Sequence, residues 1–275
     1  MHEIIGYIAF IFIGFVLGVI GGGGSMLAVP VLVYLFADTV SVDQATTYSL
    51  FIVGITSLFG SYSCLTKGDF KLEALYLFAL PSLITIFITR KYLMPMLPDV
   101  LLSFGNFSVS KNMTILIVFS GLIIFASIGM IGKKKNSARK DLMWGEFFKT
   151  PLKIPFIILL GILVGFISGF VGAGGGFMII PVLVIFLRIP MKQAVGTSLV
   201  IIAINSMVGF TGNLGAVQVD WKFLAIVSAL AVAGIFVGRY VSNFIPGKKL
   251  KPAFGWFALI VGMFILIKEA IISKL

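Results

Sequence analysis

Four consecutive glycines, Gly21 to Gly24, followed by Ser25, stand inside an apolar run from about Ile4 to Phe36. Glycine in a helix interior costs about 1 kcal/mol relative to alanine, so four in a row end a helix. In hydrocarbon no water replaces the backbone bonds lost at such an end. Irregular backbone is tolerated there only where protein buries it or a wet cavity meets it. The run therefore predicts a broken membrane helix, and broken helices at membrane depth commonly line transport sites.

The rest of the chain agrees with a membrane setting. Of its 275 residues, 59% are hydrophobic and only 11% charged, with mean hydropathy +1.14. Apolar blocks recur at roughly 4–36, 44–65, 72–89, 113–132, 154–187, 193–213, 223–245 and 253–272. This pattern predicts an all-α polytopic membrane protein in the cytoplasmic membrane. Apolar sequence begins at Ile4 without a basic stretch or a small-residue cleavage site, so a first membrane segment is expected there, not a signal peptide. The formal net charge of +11 sits mostly in short loops. It is explained by orientation in the bilayer and by anionic lipid headgroups, with no need for nucleic acid. The single cysteine, Cys64, excludes an intrachain disulfide and a cysteine-based metal cluster.

The chain contains itself twice. A shift of 151 residues places Gly14-Phe15-Val16-Leu17-Gly18 on Gly165-Phe166-Ile167-Ser168-Gly169, and Pro30-Val31-Leu32-Val33 on Pro181-Val182-Leu183-Val184. The same shift lays Gly21 to Gly24 on Gly172-Ala173-Gly174-Gly175. After a two-residue shortening, Gln44-Ala45 falls on Gln193-Ala194, Ser49-Leu50 on Ser198-Leu199 and Ser57 on Ser206. Asp69-Phe70 then matches Asp220-Trp221, and Arg90 matches Arg239. The expected organisation is a first transmembrane repeat over 1–132, a basic cytoplasmic connecting loop over 133–153 and a second repeat over 154–275. The stretch 92–112 fits this plan least well. Met94-Pro95-Met96-Leu97-Pro98-Asp99 is expected to break helix, with Val100 to Phe107 at the interface.

If each glycine-broken block enters the membrane and returns, the two halves are inverted. One side then holds Lys67, Lys71, the seven basic residues of 133–153, Arg188, Lys192, Arg239, Lys248, Lys249 and Lys251, which is 15 of the 21. That bias favours an inverted repeat, each half beginning with a re-entrant or discontinuous helix.

Candidate site residues follow from the breaks. A helix start carries partial positive charge and free N–H groups, which suits an anion. Gly22, Gly23, Gly24 and Ser25 in one half, with Gly174, Gly175 and Gly176 in the other, are expected to line one small-anion site near the midplane. The spaced glycines Gly14 and Gly18, like Gly161, Gly165 and Gly169, have instead the four-residue spacing of helix packing faces. Hydroxyl and amide groups can replace an anion's water shell, which adds Thr47, Ser49, Thr197, Ser198 and Asn205 as candidate substrate-binding residues. Helix-to-helix hydrogen bonding is the competing explanation for each of these five. Asp69, Asp220, Arg90 and Arg239 stand near segment ends, where gating or coupling competes with simple snorkelling.

An enzyme is not expected. The only histidine is His2, so no Ser/His relay or histidine-ligated metal has material. The glycine run lacks the Lys-Ser/Thr of a phosphate loop. No cofactor or metal is expected.

The motifs Gly172-Ala173-Gly174-Gly175-Gly176, Pro181-Val182-Leu183, Ala194-Val195-Gly196-Thr197-Ser198-Leu199 and Val219-Asp220-Trp221 resemble the TauE/SafE family of membrane transporters. The first half departs from the pattern, with Ala45-Thr46-Thr47-Tyr48-Ser49-Leu50 in place of the Gly-Thr-Ser segment. The resemblance implies export of sulfite or movement of organosulfonates and related small anions, by a monomer or homodimer. A channel or carrier for another solute, such as a metal cation, and a non-transporting membrane anchor subunit are the alternatives.

Overall fold

A computed structural model of the chain describes residues 2–36, 39–67, 72–98, 100–104, 107–131, 153–172, 174–215 and 217–272. Asp69 and nearly all of the 133–153 loop lie outside the described residues. The first half runs α1 (His2–Ile20), a tight turn (Gly22–Gly24), α2 (Ser25–Leu35) and α3 (Val42–Lys67). It continues with α4 (Leu72–Met96), a hairpin of β1 (Val100–Phe104) and β2 (Phe107–Ser110), and α5 (Lys111–Ile131). The second half runs α6 (Lys153–Val171), α7 (Gly176–Phe186), α8 (Met191–Asn213), α9 (Trp221–Phe244) and α10 (Gly247–Ile272).

Among the described residues six helices are long and apolar enough to cross a membrane, lying within α4, α5, α6, α8, α9 and α10. Large apolar side chains such as Phe125, Phe236, Ile260 and Phe264 face outward, as a lipid-facing surface requires. Helix α3 is 26 residues long but polar for its depth, with Thr46, Thr47, Ser49, Thr56, Ser57 and Ser61 all buried. Its first two-thirds lies inside the protein, while Leu58, Phe59 and Tyr62 near its end are exposed. Its start is set by a capping box: the Ser41 N–H donates to Gln44 Oε1 at 2.9 Å and the Gln44 N–H donates to Ser41 Oγ at 3.3 Å.

Both glycine-broken segments double back. Gly24 is wedged on α1, where a Cβ would fall 2.5 Å from the Ile13 carbonyl oxygen and 2.6 Å from the Leu17 nitrogen. At the other end of α2, the Phe36 ring returns beside Tyr7, at 5.7 Å between centroids, and Phe10, at 6.2 Å. In the second half Gly175 packs on Ser168, and Phe186 returns beside Phe156 at 6.2 Å. The chain therefore runs out along α1 or α6 and comes back antiparallel to it along α2 or α7.

Each principal helix pairing crosses between the halves. Helix α1 runs parallel to α9, with Gly14 against Ala231 and Gly18 against Ile235 to Arg239. Its counterpart α6 runs parallel to α4, with Gly161 on Phe78, Gly165 on Ser82 and Gly169 on Thr89. These spaced glycines do pack, as expected, because a Cβ at any of them would strike neighbouring backbone or a β-branched side chain. Helices α3 and α8 are antiparallel: Thr47 meets Asn213, Phe51 meets Phe210 and Gly60 meets Leu199. So are α5 and α10, with Gly255 at Ile131 and Gly262 at Ile124.

Helix α4 breaks at Met96-Leu97, inside the stretch 94–99 where a break is expected, and strands follow it. The helix continues through Pro95 and ends at Met96, directly after a π-helical turn over Thr89–Leu93. The strands β1 and β2 then pair antiparallel.

Candidate functional site: the glycine breaks and the Arg90 cavity

The two breaks touch. A Cβ on Gly176 would lie 2.6 Å from Ser25 Oγ and 2.7 Å from Gly22 Cα. Ser25 Oγ donates to the Gly22 carbonyl at 2.7 Å, which ties down the turn ahead of α2. Left-handed backbone at Gly21 (φ 76°), Gly172 (79°), Gly174 (65°) and Gly175 (71°) lets the chain turn, a conformation that a Cβ disfavours.

Buried hydroxyls of the opposite half surround each break. Ser49 Oγ donates to the Gly172 carbonyl, and its repeat partner Ser198 lies 3.1 Å from where a Gly21 Cβ would be. Within the second half itself, Gly174 faces Ser206 and Gly175 faces Ser168. Both of these hydroxyls are buried without a hydrogen-bond partner. A buried polar group in that condition requires an explanation.

On one side of the second break lies a cavity of about 510 Å³ lined by Ser41, Asp43, Gln44, Arg90, Met94, Pro95, Asn213, Val217 and Gln218. It sits at the end of α4 away from the start of α6, since Gly161 packs at Phe78 while Gly169 packs at Thr89. Arg90 forms part of its wall and is only 1% exposed. Its Nη1 donates to Thr46 Oγ1 at 3.1 Å, and its Nη2 occupies the space a side chain on Gly172 would need. Snorkelling, one of the two expectations for Arg90, is thereby corrected. The guanidinium turns inward because Gly172 leaves room for it and α3 offers Thr46.

The remaining candidates separate into neighbours of the breaks and structural elements. Asn213 donates to Thr47 Oγ1 at 2.6 Å at the edge of the cavity. Asn205 donates to Ser82 Oγ at 2.5 Å, and its Oδ1 is unpartnered. Thr197 Oγ1 donates to the Gln193 carbonyl at 2.8 Å, and Ser198 Oγ to that of Val195 at 2.9 Å. Gly23 faces Ile20 and Phe254, and Gly24 faces α1, so neither meets the second break. Asp220 is an exposed helix N-cap that accepts from the Phe223 N–H at 3.0 Å. Arg239 is half-buried and its Nη2 donates to Cys64 Sγ at 2.8 Å.

Sequence reasoning missed Ser168, Asp43, Asn213 and Gln218. Ser168 had a usable signal, since it replaces Leu17 at an otherwise matching position. The cavity residues had none, because they come from three segments far apart in the chain.

Comparison with known proteins bears on this geometry. The family described as "Sulfite exporter TauE/SafE" matches residues 6–265. A probable membrane transporter protein of Xylella fastidiosa (strain Temecula1) is 25% identical over 257 residues, covering 92% of this chain and 91% of its own. The probable membrane transporter protein YdhB of Bacillus subtilis is 26% identical over 254 residues, covering 92% and 96%. A probable membrane transporter protein of Methanocaldococcus jannaschii is 32% identical over 118 residues, 41% of this chain and 44% of its own length. No solved structure matches. With its apolar spans, its paired helix breaks and a family match over nearly its whole length, the chain is a multi-pass membrane transporter and belongs to the TauE/SafE family.

Proposed function

We propose that the protein carries a small anion, such as sulfite, an organosulfonate or an organic acid, across the cytoplasmic membrane by alternating access. The observation that carries this reading is the direct meeting of the two glycine breaks beside the partnerless hydroxyls of Ser168 and Ser206. Helices α2 and α7 both begin at that meeting point, so their positive ends converge where the substrate binds. Antiparallel pairing of α3 with α8 and of α5 with α10 supports an inverted repeat about an axis in the membrane plane. The same axis exchanges the parallel pairs α1/α9 and α4/α6. Two re-entrant hairpins, one from each half, would then face each other across that axis and rock to open either side.

The test is flux in proteoliposomes with sulfite and 2-hydroxyethanesulfonate as probes. Gly174→Leu places a branched side chain at φ 65° against Ser206, and flux is expected to fall to background in protein that remains monodisperse. Native flux through folded Gly174→Leu would overturn the assignment.

A further inference from the structure

We infer that the anion is held from one side by Arg90, on the edge of its guanidinium formed by Nε and Nη2. This inference rests on the transport reading above and gives it a charged, asymmetric binding residue. Arg90 is the largest fully buried side chain among the described residues. Its Nη1 is engaged by Thr46, whereas Nε and Nη2 are buried with no partner.

The two unpartnered nitrogens share one edge of the planar group. That edge presents two parallel N–H donors, the fork that fits two oxygens of a carboxylate or sulfonate. A buried cation is costly in a low-dielectric setting; Asp43 offsets part of that cost, and a bound oxyanion offsets more. Nη2 lies against Gly172 at the mouth of the second break, and the cavity that Arg90 helps to line provides room for an entering anion.

Asp43 lines the same cavity. Its carboxylate opposes the incoming charge, which keeps binding weak enough for release. The repeat does not duplicate this arrangement. Arg239, the counterpart of Arg90, donates its Nη2 to Cys64, while the residue equivalent to Cys64 is Asn213, on the wall of the Arg90 cavity. A single guanidinium thus serves a site otherwise built from two similar halves.

The experiment is isothermal titration of the purified full-length protein with sulfite, 2-hydroxyethanesulfonate and acetate, with size-exclusion profiles checked for every variant. Arg90→Lys keeps the charge but loses the fork, and binding is expected to weaken by roughly tenfold or more. Asp43→Asn removes the opposing charge, and binding is expected to tighten by roughly threefold or more. Lys91→Gln removes an exposed neighbouring cation and is expected to change binding by less than about twofold, since solvent screens it.

Folded Arg90→Lys that binds as native does, or Asp43→Asn that binds no more tightly than native, overturns the assignment. If Arg90→Lys fails to fold, Asp43→Asn alone decides. Native protein that binds none of the three anions would instead sink the transport reading itself.

Discussion

Alanine at Gly176 puts a methyl group where the two breaks touch. Its Cβ would lie 2.7 Å from Gly22 Cα and its carbonyl oxygen, whereas ordinary contact begins near 3.4 Å. The obstacle is backbone and cannot rotate aside, so the starts of α2 and α7 must part by about 0.7 Å (3.4 − 2.7). Overpacking of this kind costs about 1–3 kcal/mol, and the better helix propensity of alanine returns at most ~1. The expected net loss is about 0–2 kcal/mol, together with a strong fall in flux. Gly121 is the matched control: it lies exposed in α5, and nothing stands within 4 Å of the position a Cβ would take there. Gly121→Ala should therefore be neutral or stabilising by up to about 1 kcal/mol. Thermal unfolding in detergent and proteoliposome flux, measured on both variants, make the comparison. Gly22→Ala combined with Gly176→Ala should cost less than the sum of the two, because both crowd the same contact and the parting that admits one methyl group makes room for the other. Native stability and native flux in Gly176→Ala would show that the breaks do not touch in the working protein.

Two further outcomes test the frame around the site. Asp220→Ala should lower stability by about 1 kcal/mol through loss of its cap, while Asp220→Asn should stay close to native, since asparagine caps equally well; thermal unfolding of the two distinguishes capping from a need for charge. An inverted repeat requires Thr39→Cys and Lys192→Cys, both at exposed positions near the starts of equivalent helices, to react with an impermeant maleimide from opposite sides of the membrane. Buried Cys64 leaves the background silent, and labelling from the same side would exclude inversion.

The amino-acid sequence alone determined the class, the repeat and the places where helices break. Hydropathy, self-similarity and glycine are local properties, legible within a window of a few residues. Glycine spacing likewise identified Gly14, Gly18, Gly161, Gly165 and Gly169 as packing positions. It could not say that α1 packs on α9 and α6 on α4, because those partners lie in the other half.

Only the tertiary structure decided which of the consecutive glycines meet. Gly22 and Gly176 touch, while Gly23 and Gly24 turn toward α10 and α1. It also decided the fate of the two matched arginines. Near the end of a hydrophobic segment, snorkelling to the interface and turning inward look the same in sequence. Arg90 turns inward because Thr46 and Gly172, from opposite halves of the chain, leave it a donor's partner and an empty space. Arg239 meets Cys64 instead. The difference between them comes from single substitutions between the repeats, and it acts only once the halves have closed on each other.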